Sequence, residues 1–117
     1  MAGNIQASLD KLMEIDGAIA CAVVDATSGM LLGQAGSGID MNVAAAGNSE
    51  VVRAKLKTMK SLNLQDNIED IMITLGKAYH IIRTHGNLFI YVALNKTKAN
   101  LALARHKIGE VEATLTV

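Results

Sequence analysis

The amino-acid sequence predicts an α+β fold, a five-stranded antiparallel sheet with helices on both faces. The chain has 117 residues, of which 50% are hydrophobic and 19% are charged, so it can bury a core and does not resemble a disordered chain. Five apolar runs of strand length are bounded by short turn signals, and three other segments carry apolar residues at helical spacing. In chain order these segments give helix, two strands, helix, three strands and helix. We expect residues 1–117 to form one domain.

The first half of the pattern begins with a short helix followed by a hairpin. The helix is predicted over Asn4–Glu14, where Ile5, Leu9, Leu12 and Met13 share one face of a 3.6-residue period. Gly17 is placed to end this helix. The two strands are predicted over residues 18–25 and 30–35, joined by the turn signal Ala26-Thr27-Ser28-Gly29. Because the first strand is apolar on both alternations, we expect it to be covered on both faces.

The longest predicted helix runs from Asp40 to Leu62, and the Asp40 carboxylate can cap its first turn. One stripe along this helix is formed by Met41, Ala45, Val52, Leu56 and Met59. The sequence Gly47-Asn48-Ser49 lowers helix propensity, by about 1 kcal/mol for the glycine relative to alanine. We therefore expect this interruption to kink or split the helix.

Three strands and a last helix complete the prediction. The strands are expected at residues 68–75, 78–84 and 88–95, and the helix at residues 98 to about 115. The connections Gly76-Lys77 and His85-Gly86-Asn87 are short, which predicts an antiparallel meander.

Composition excludes several classes of protein. The formal net charge is zero and aromatic residues are 3% of the chain, which argues against nucleic-acid binding. No apolar run approaches the roughly 20 residues that span a bilayer, so membrane insertion is not expected. The first four residues lack the pattern of a secretory signal, and the single cysteine is typical of a cytoplasmic protein.

Residues that could carry chemistry are few. His80, His85 and His106 have no zinc-ligand spacing, and Cys21 lies in an apolar strand where it is expected to pack rather than react. The glycines of residues 33–38 do not form a dinucleotide fingerprint, and Gly76-Lys77 does not complete a phosphate-binding loop. The sequence therefore predicts no enzyme activity, no metal and no cofactor.

Three segments resemble a known family. They are residues 16–32, which run from Asp16-Gly17-Ala18-Ile19 to the turn before Met30-Leu31-Leu32, the small-residue helix around Ala44-Ala45-Ala46, and residues 88–94 with residues 100–105. In this order and at this chain length, they are similar to the Roadblock/dynein light-chain domains, of the prokaryotic single-domain type. The resemblance implies a dimer, homodimer or paralogous heterodimer, in which the middle helices and the third strands pair. It also implies regulation or scaffolding of a small Ras-like GTPase, without catalytic residues.

The residues give this dimer partial support. Residues 67–75 are predicted to form an edge strand, whose unpaired backbone groups, with Ile71 and Ile73, a second copy could cover. Ala44, Gly47 and Val51 form a small-residue stripe that could let two helices approach closely. The alternative is that these small residues pack on the chain's own sheet.

A basic face is the predicted contact for a partner. Arg53, Lys57 and Lys60 fall at i, i+4 and i+7 on the middle helix. They could meet an acidic partner, or form an ordinary solvated helix face.

Two functions remain open at this point. The first is a non-enzymatic dimeric regulator or scaffold for a small Ras-like GTPase. The second is a small-ligand sensor, or a dimeric adaptor with no GTPase partner. A ligand pocket would need convergent polar groups, and Tyr79 and His80 are among the few candidates.

Overall fold

The computed structural model describes residues 3–117. It contains three helices and five strands in the predicted order: α1 (Ile5–Leu12), β1 (Ala18–Asp25), β2 (Met30–Gly36), α2 (Met41–Ser61), β3 (Asp70–Thr74), β4 (Ala78–His85), β5 (Leu88–Asn95) and α3 (Leu101–Thr114). The strands form one antiparallel sheet in the order β2-β1-β5-β4-β3. The predicted α+β fold and the β3-β4-β5 meander are confirmed.

The sheet separates two layers of core. On one face, α1 and α3 pack over Cys21, Val23 and Ile90. On the other face, α2 packs over Ala22 and Phe89. The middle strands β1 and β5 are therefore buried on both faces, as their unbroken apolar sequences predict.

Helix α2 is continuous, so the predicted split at residues 47–49 is wrong. Ser49 is fully buried, and its hydroxyl donates to the carbonyl of Ala45 at 2.7 Å, which satisfies the side chain inside the helix. Gly47 faces solvent and breaks no packing. Asp40 caps the helix as predicted, since its carboxylate accepts the N–H of Val43.

The stripe on α2 is buried along most of its length. Met41, Ala45, Val52 and Met59 are buried, but Leu56 is 47% exposed. Leu56 borders an open cleft at the end of the sheet, so no element covers its outer side.

Helix α1 lies directly on β2 at Gly33. A Cβ placed there would lie 2.8 Å from Cγ2 of Ile5 and 3.1 Å from Cδ1 of Leu9. Only glycine accommodates this approach without displacing those side chains.

Helix α3 begins at Leu101, three residues later than predicted. The Asn100 side chain caps it by accepting the N–H of Leu103, while Lys98 and Ala99 donate their amides to the carbonyl of Asn95. Residues 98–99 are therefore held in a turn that precedes the helix.

Candidate interaction surface

Strand β3 forms one edge of the sheet, as predicted, with β4 on its inner side. Its outer backbone N–H and C=O groups face away from β4, where a further strand could pair with them. Met72, Ile73 and Leu75 expose large apolar side chains along this edge. The edge is thus both open for backbone pairing and apolar.

The register of β3 assigns its two predicted interface residues to the α2 side of the sheet. Ile71 lies opposite Ile82 and Ile73 lies opposite His80 on β4. Ile71 is half-buried and packs against the core beneath α2, whereas Ile73 is 37% exposed. Ile73 therefore has more apolar surface left to offer a partner.

The residues of the small-residue stripe on α2 differ in whether they pack on the chain's own sheet or stay exposed. Ala44 is half-buried and packs against the chain's own core. Gly47 is exposed, and a Cβ built on it would meet no atom within 4 Å. Val51 is 38% exposed. Packing within one chain thus explains the small side chain of Ala44. It does not require a small residue at Gly47.

A groove of about 370 Å³ runs between the N-terminal half of α2 and strands β4 and β5. Ile39, Val43 and Ala44 form its α2 side, and His80 and Tyr91 form its floor. We call this groove, together with Gly47, Val51 and Ile73, the open face. It covers the part of the molecule in which the sequence predicts a dimer interface.

The floor of the groove carries a polar pair. The Tyr91 hydroxyl lies 3.0 Å from Nδ1 of His80, and the two rings meet edge to face with centroids 5.3 Å apart. Burial lowers the pKa of His80 and raises the pKa of Tyr91, the latter opposed in part by the side chain of Asn48. Both shifts favour the neutral forms of the imidazole and the phenol.

Tyr79 does not join this pair. It precedes His80 on β4 and so lies on the other face of the sheet, where it packs against the α1–α3 core. The Nζ of Lys96 lies 5.9 Å from the centroid of its ring. The polar partner of His80 is Tyr91, whose only signal in the sequence is that it is the one polar side chain within the apolar run 88–94.

The predicted basic face of α2 is only partly free. The Arg53 guanidinium donates through Nη1 to the carbonyl of Ala26 at 2.7 Å and lies 3.4 Å from the carbonyl of Thr27. Lys57 and Lys60 are exposed further along the helix. Arg53 therefore anchors the turn after β1, whereas the two lysines project from the C-terminal half of α2.

The histidines and the cysteine lie apart from one another. His85 contacts Glu112 at 2.7 Å, and His106 contacts Glu110 at 3.4 Å on α3. Within residues 3–117, no three His, Cys, Asp or Glu side chains are grouped closely enough to hold a metal ion. Cys21 is buried, and burial raises the pKa of its thiol to about 12, so it is not a nucleophile in the folded chain.

Charged contacts hold α3 against the meander. Glu112 accepts from Nε of Arg83 at 3.3 Å as well as contacting His85, and Arg105 pairs with Asp70 at 2.8 Å. These contacts tie β4 and the start of β3 to α3.

None of the helices in the described part of the chain is long and apolar enough to cross a bilayer.

The fold is that of known Roadblock/LC7 structures. MglB of Myxococcus xanthus superposes with a TM-score of 0.85 at 21% identity, over 95% of this chain and 90% of that one. The gliding protein MglB of Thermus thermophilus gives 0.83 at 14% identity, over 96% and 85%. A Roadblock/LC7 domain of Streptomyces avermitilis gives 0.80 at 11% identity, over 91% and 89%.

No protein-family model and no curated protein matches the sequence. At these identities the solved structures establish the fold alone. The chain has the Roadblock/LC7 fold, and the fold that the sequence resemblance implied is confirmed.

Proposed function

We propose that this protein is a non-enzymatic, self-associating regulator or scaffold for a small Ras-like GTPase, acting in the cytoplasm. The observation that carries the proposal is the open face together with the apolar edge strand β3 beside it. Exposed apolar strand edges promote association unless something covers them. A second copy, or a paralogous chain with the same fold, would cover the exposed edge of β3.

Charge favours an antiparallel arrangement of two β3 strands. Glu69 immediately precedes β3, and Lys77 lies in the turn that follows it. Antiparallel pairing about the strand centre brings the Glu69 end of each copy beside the Lys77 end of the other. A parallel arrangement would bring like charges together, which disfavours it.

The same arrangement gives Gly47 a role. When two β3 strands pair, the α2 helices of both copies lie on the same side of the extended sheet. The absence of a side chain at Gly47 permits close approach of a second helix there, and Val51 and Ile73 supply apolar surface. One of the solved neighbours, an MglB structure, is described as having a tetrameric arrangement, which is consistent with self-association in this fold.

The GTPase partner is proposed on the basis of the family resemblance. A dimer paired through β3 would present two copies of Lys57 and Lys60, whose positive charge would attract an acidic partner surface. Because the resemblance implies no catalytic residues, we propose that the chain binds or remodels a GTPase.

Charge reversal tests the self-association directly. We expect sedimentation equilibrium to show a dimer for the natural chain, and roughly tenfold weaker association for Glu69→Lys and for Lys77→Glu. The double variant should regain most of the affinity because the attraction is restored with opposite sign. A natural chain that remains monomeric at high concentration would exclude the proposal, and a double variant as weak as the singles would exclude the antiparallel register.

Nucleotide-dependent capture tests the GTPase. The immobilised chain is exposed to host lysate with GDP or a non-hydrolysable GTP analogue, and bound proteins are identified by mass spectrometry. We expect a small GTPase to be enriched in one nucleotide state, and less so with Lys57→Glu/Lys60→Glu. Equal capture with GDP and with the GTP analogue would argue against a protein that distinguishes the two nucleotide states of the GTPase.

A ligand-sensor function is favoured by one observation, the neutral His80–Tyr91 pair in the floor of an apolar groove. A polar pair in an apolar pocket is typical of small-molecule sites. A thermal-shift screen distinguishes this function, since a hit should disappear in Tyr91→Phe. No hit would leave the association proposal as the sole explanation of the groove.

A further inference from the structure

A second cleft, of about 330 Å³, lies at the end of the sheet where β1 and β4 finish. Its walls come from four places: the turn after β1, the C-terminal half of α2, the segment before β3 and the β4–β5 turn. We name it the Arg53 cleft, after the α2 residue that lines it, and Ala26, Asn67, Ile68 and Asn87 also line it. One chain supplies all of these residues, so the cleft does not depend on self-association.

Arg53 brings to the cleft a positive charge that forms no ion pair with a described carboxylate. Its contacts with the Ala26 and Thr27 carbonyls orient the guanidinium, but neutral acceptors leave its charge in place. The ion pairs between described residues involve Arg83, Arg105 and two histidines, and Arg53 is in none of them. The described residues that line the cleft include no Asp or Glu.

The rest of the lining is apolar with a few neutral hydrogen-bonding groups. Val52, Leu56 and Leu88 supply aliphatic surface, and Asn67 and Asn87 are neutral polar residues of the lining. A guanidinium group binds carboxylates through parallel N–H donors. In Arg53, Nη1 is the atom that already donates to the carbonyl of Ala26. The lining thus complements a carboxylate that is carried between aliphatic groups.

We infer that the Arg53 cleft binds an acidic side chain of a partner polypeptide, flanked by aliphatic residues that contact Val52, Leu56 and Leu88. The cleft is at the lower end of the size range of small-molecule sites, which suits one side chain and its neighbours. Charge complementarity selects a polypeptide of this chemistry over a basic or neutral one. This binding site is additional to the open face and does not require a GTPase.

A matched pair of peptides tests the inference. The ¹⁵N-labelled protein is titrated with acetyl-Leu-Asp-Leu-amide and with its isosteric analogue acetyl-Leu-Asn-Leu-amide, and amide shifts of Thr27, Gly86 and Asn87 are followed. We expect saturable shifts with the aspartyl peptide and at least fivefold weaker binding of the asparaginyl peptide. Equal binding of the two peptides, or no saturable shift at these amides, would overturn the inference.

Variants locate the binding without relying on Arg53 alone, because that residue also anchors the turn. Leu56→Glu places a carboxylate at the mouth of the cleft on a half-exposed position and should weaken aspartyl-peptide binding at least fivefold. Leu62→Glu is the matched control, since Leu62 is 61% exposed and does not line the cleft. Arg53→Gln should behave like Leu56→Glu.

The source of the carboxylate is tested with 4-methylpentanoate. This free aliphatic acid should bind at least fivefold more weakly than the aspartyl peptide, because it contacts only part of the apolar wall. Equal or stronger binding of the free acid would overturn the assignment to a polypeptide. Equal weakening by Leu62→Glu and Leu56→Glu would likewise overturn it, since the effect would then not be local to the cleft.

Discussion

Arg105 of α3 pairs with Asp70, the first residue of the edge strand β3, with Nη2 and Oδ2 2.8 Å apart. Asp70 is mostly buried on its side chain, while Arg105 is half-exposed. The contact ties one end of an otherwise open edge to the helix layer. It also occupies the charge of Asp70, so that Glu69 is the acidic side chain left for the charge pairing proposed between two β3 strands.

Asp70→Asn should loosen the edge strand without unfolding the chain. A partly exposed pair of this kind contributes about 0.5–1 kcal/mol, so urea unfolding should show a loss of that size. Hydrogen exchange of the β3 amides should accelerate, because α3 no longer holds the strand end. Glu110→Gln is the control, since it removes a far more exposed contact with His106. If both variants exchange alike at β3, the tether is not effective.

Gly47→Ala should separate the stability of one chain from its self-association. An alanine in the interior of α2 should stabilise the monomer by about 1 kcal/mol, because no atom lies within 4 Å of the added methyl group. The same methyl group should weaken the dimer if two α2 helices approach closely there. Urea unfolding and sedimentation equilibrium measure the two effects.

Ala46→Gly is the matched control for this variant, on an exposed position of the same helix. It should lower stability by a similar amount and leave the dissociation constant unchanged. A Gly47→Ala variant that is more stable and associates as tightly as the natural chain would contradict close helix contact.

His80 should make folding depend on pH. Its pKa is lowered in the folded state by burial, so the unfolded chain binds more protons below the ordinary value of about 6.5. The free energy of unfolding should therefore decrease as the pH falls below about 6.5, and His80→Asn should remove this part of the decrease. Urea unfolding at two pH values, one on each side of that value, measures it, with His106→Asn as a control for changing an exposed histidine.

Gly33→Ala should be destabilising because α1 lies against β2 at this position. The added Cβ would meet Ile5 at 2.8 Å, so the helix or its side chains must shift, at a cost of about 1–3 kcal/mol. Gly76→Ala adds the same group where no atom lies within 4 Å and should change stability little. Thermal unfolding of the two variants gives the comparison, and equal midpoints would contradict the close approach.

Cys21 should react with thiol reagents only when the chain unfolds. It is fully buried, and its pKa is raised to about 12, so the nucleophilic thiolate is scarce near neutral pH. Labelling with a disulfide reagent should be very slow in buffer and complete in urea. Cys21→Ser should leave partner binding intact, and rapid labelling of the folded chain would show that the strand opens.

The sequence by itself determined the order of the elements and the nature of the sheet. Strands β1 and β5 were predicted with the bounds that they have, because strands covered on both faces are apolar throughout and end at turn residues. The edge position of β3 followed from the short meander connections. The continuity of α2 did not follow, because local propensity counts Gly47 against a helix and cannot include the burial of Ser49.

Only the tertiary structure decided which side chains meet. It brought Tyr91 to His80 and put Tyr79 on the opposite face, and it set Arg53 against Ala26, 27 residues earlier in the chain. It also distinguished Gly47, which faces open space, from Ala44, which packs inward. Residue periodicity assigns a side chain to a face, but the neighbours on that face come from distant segments, and their identity depends on strand register and on the position of α2 across the sheet.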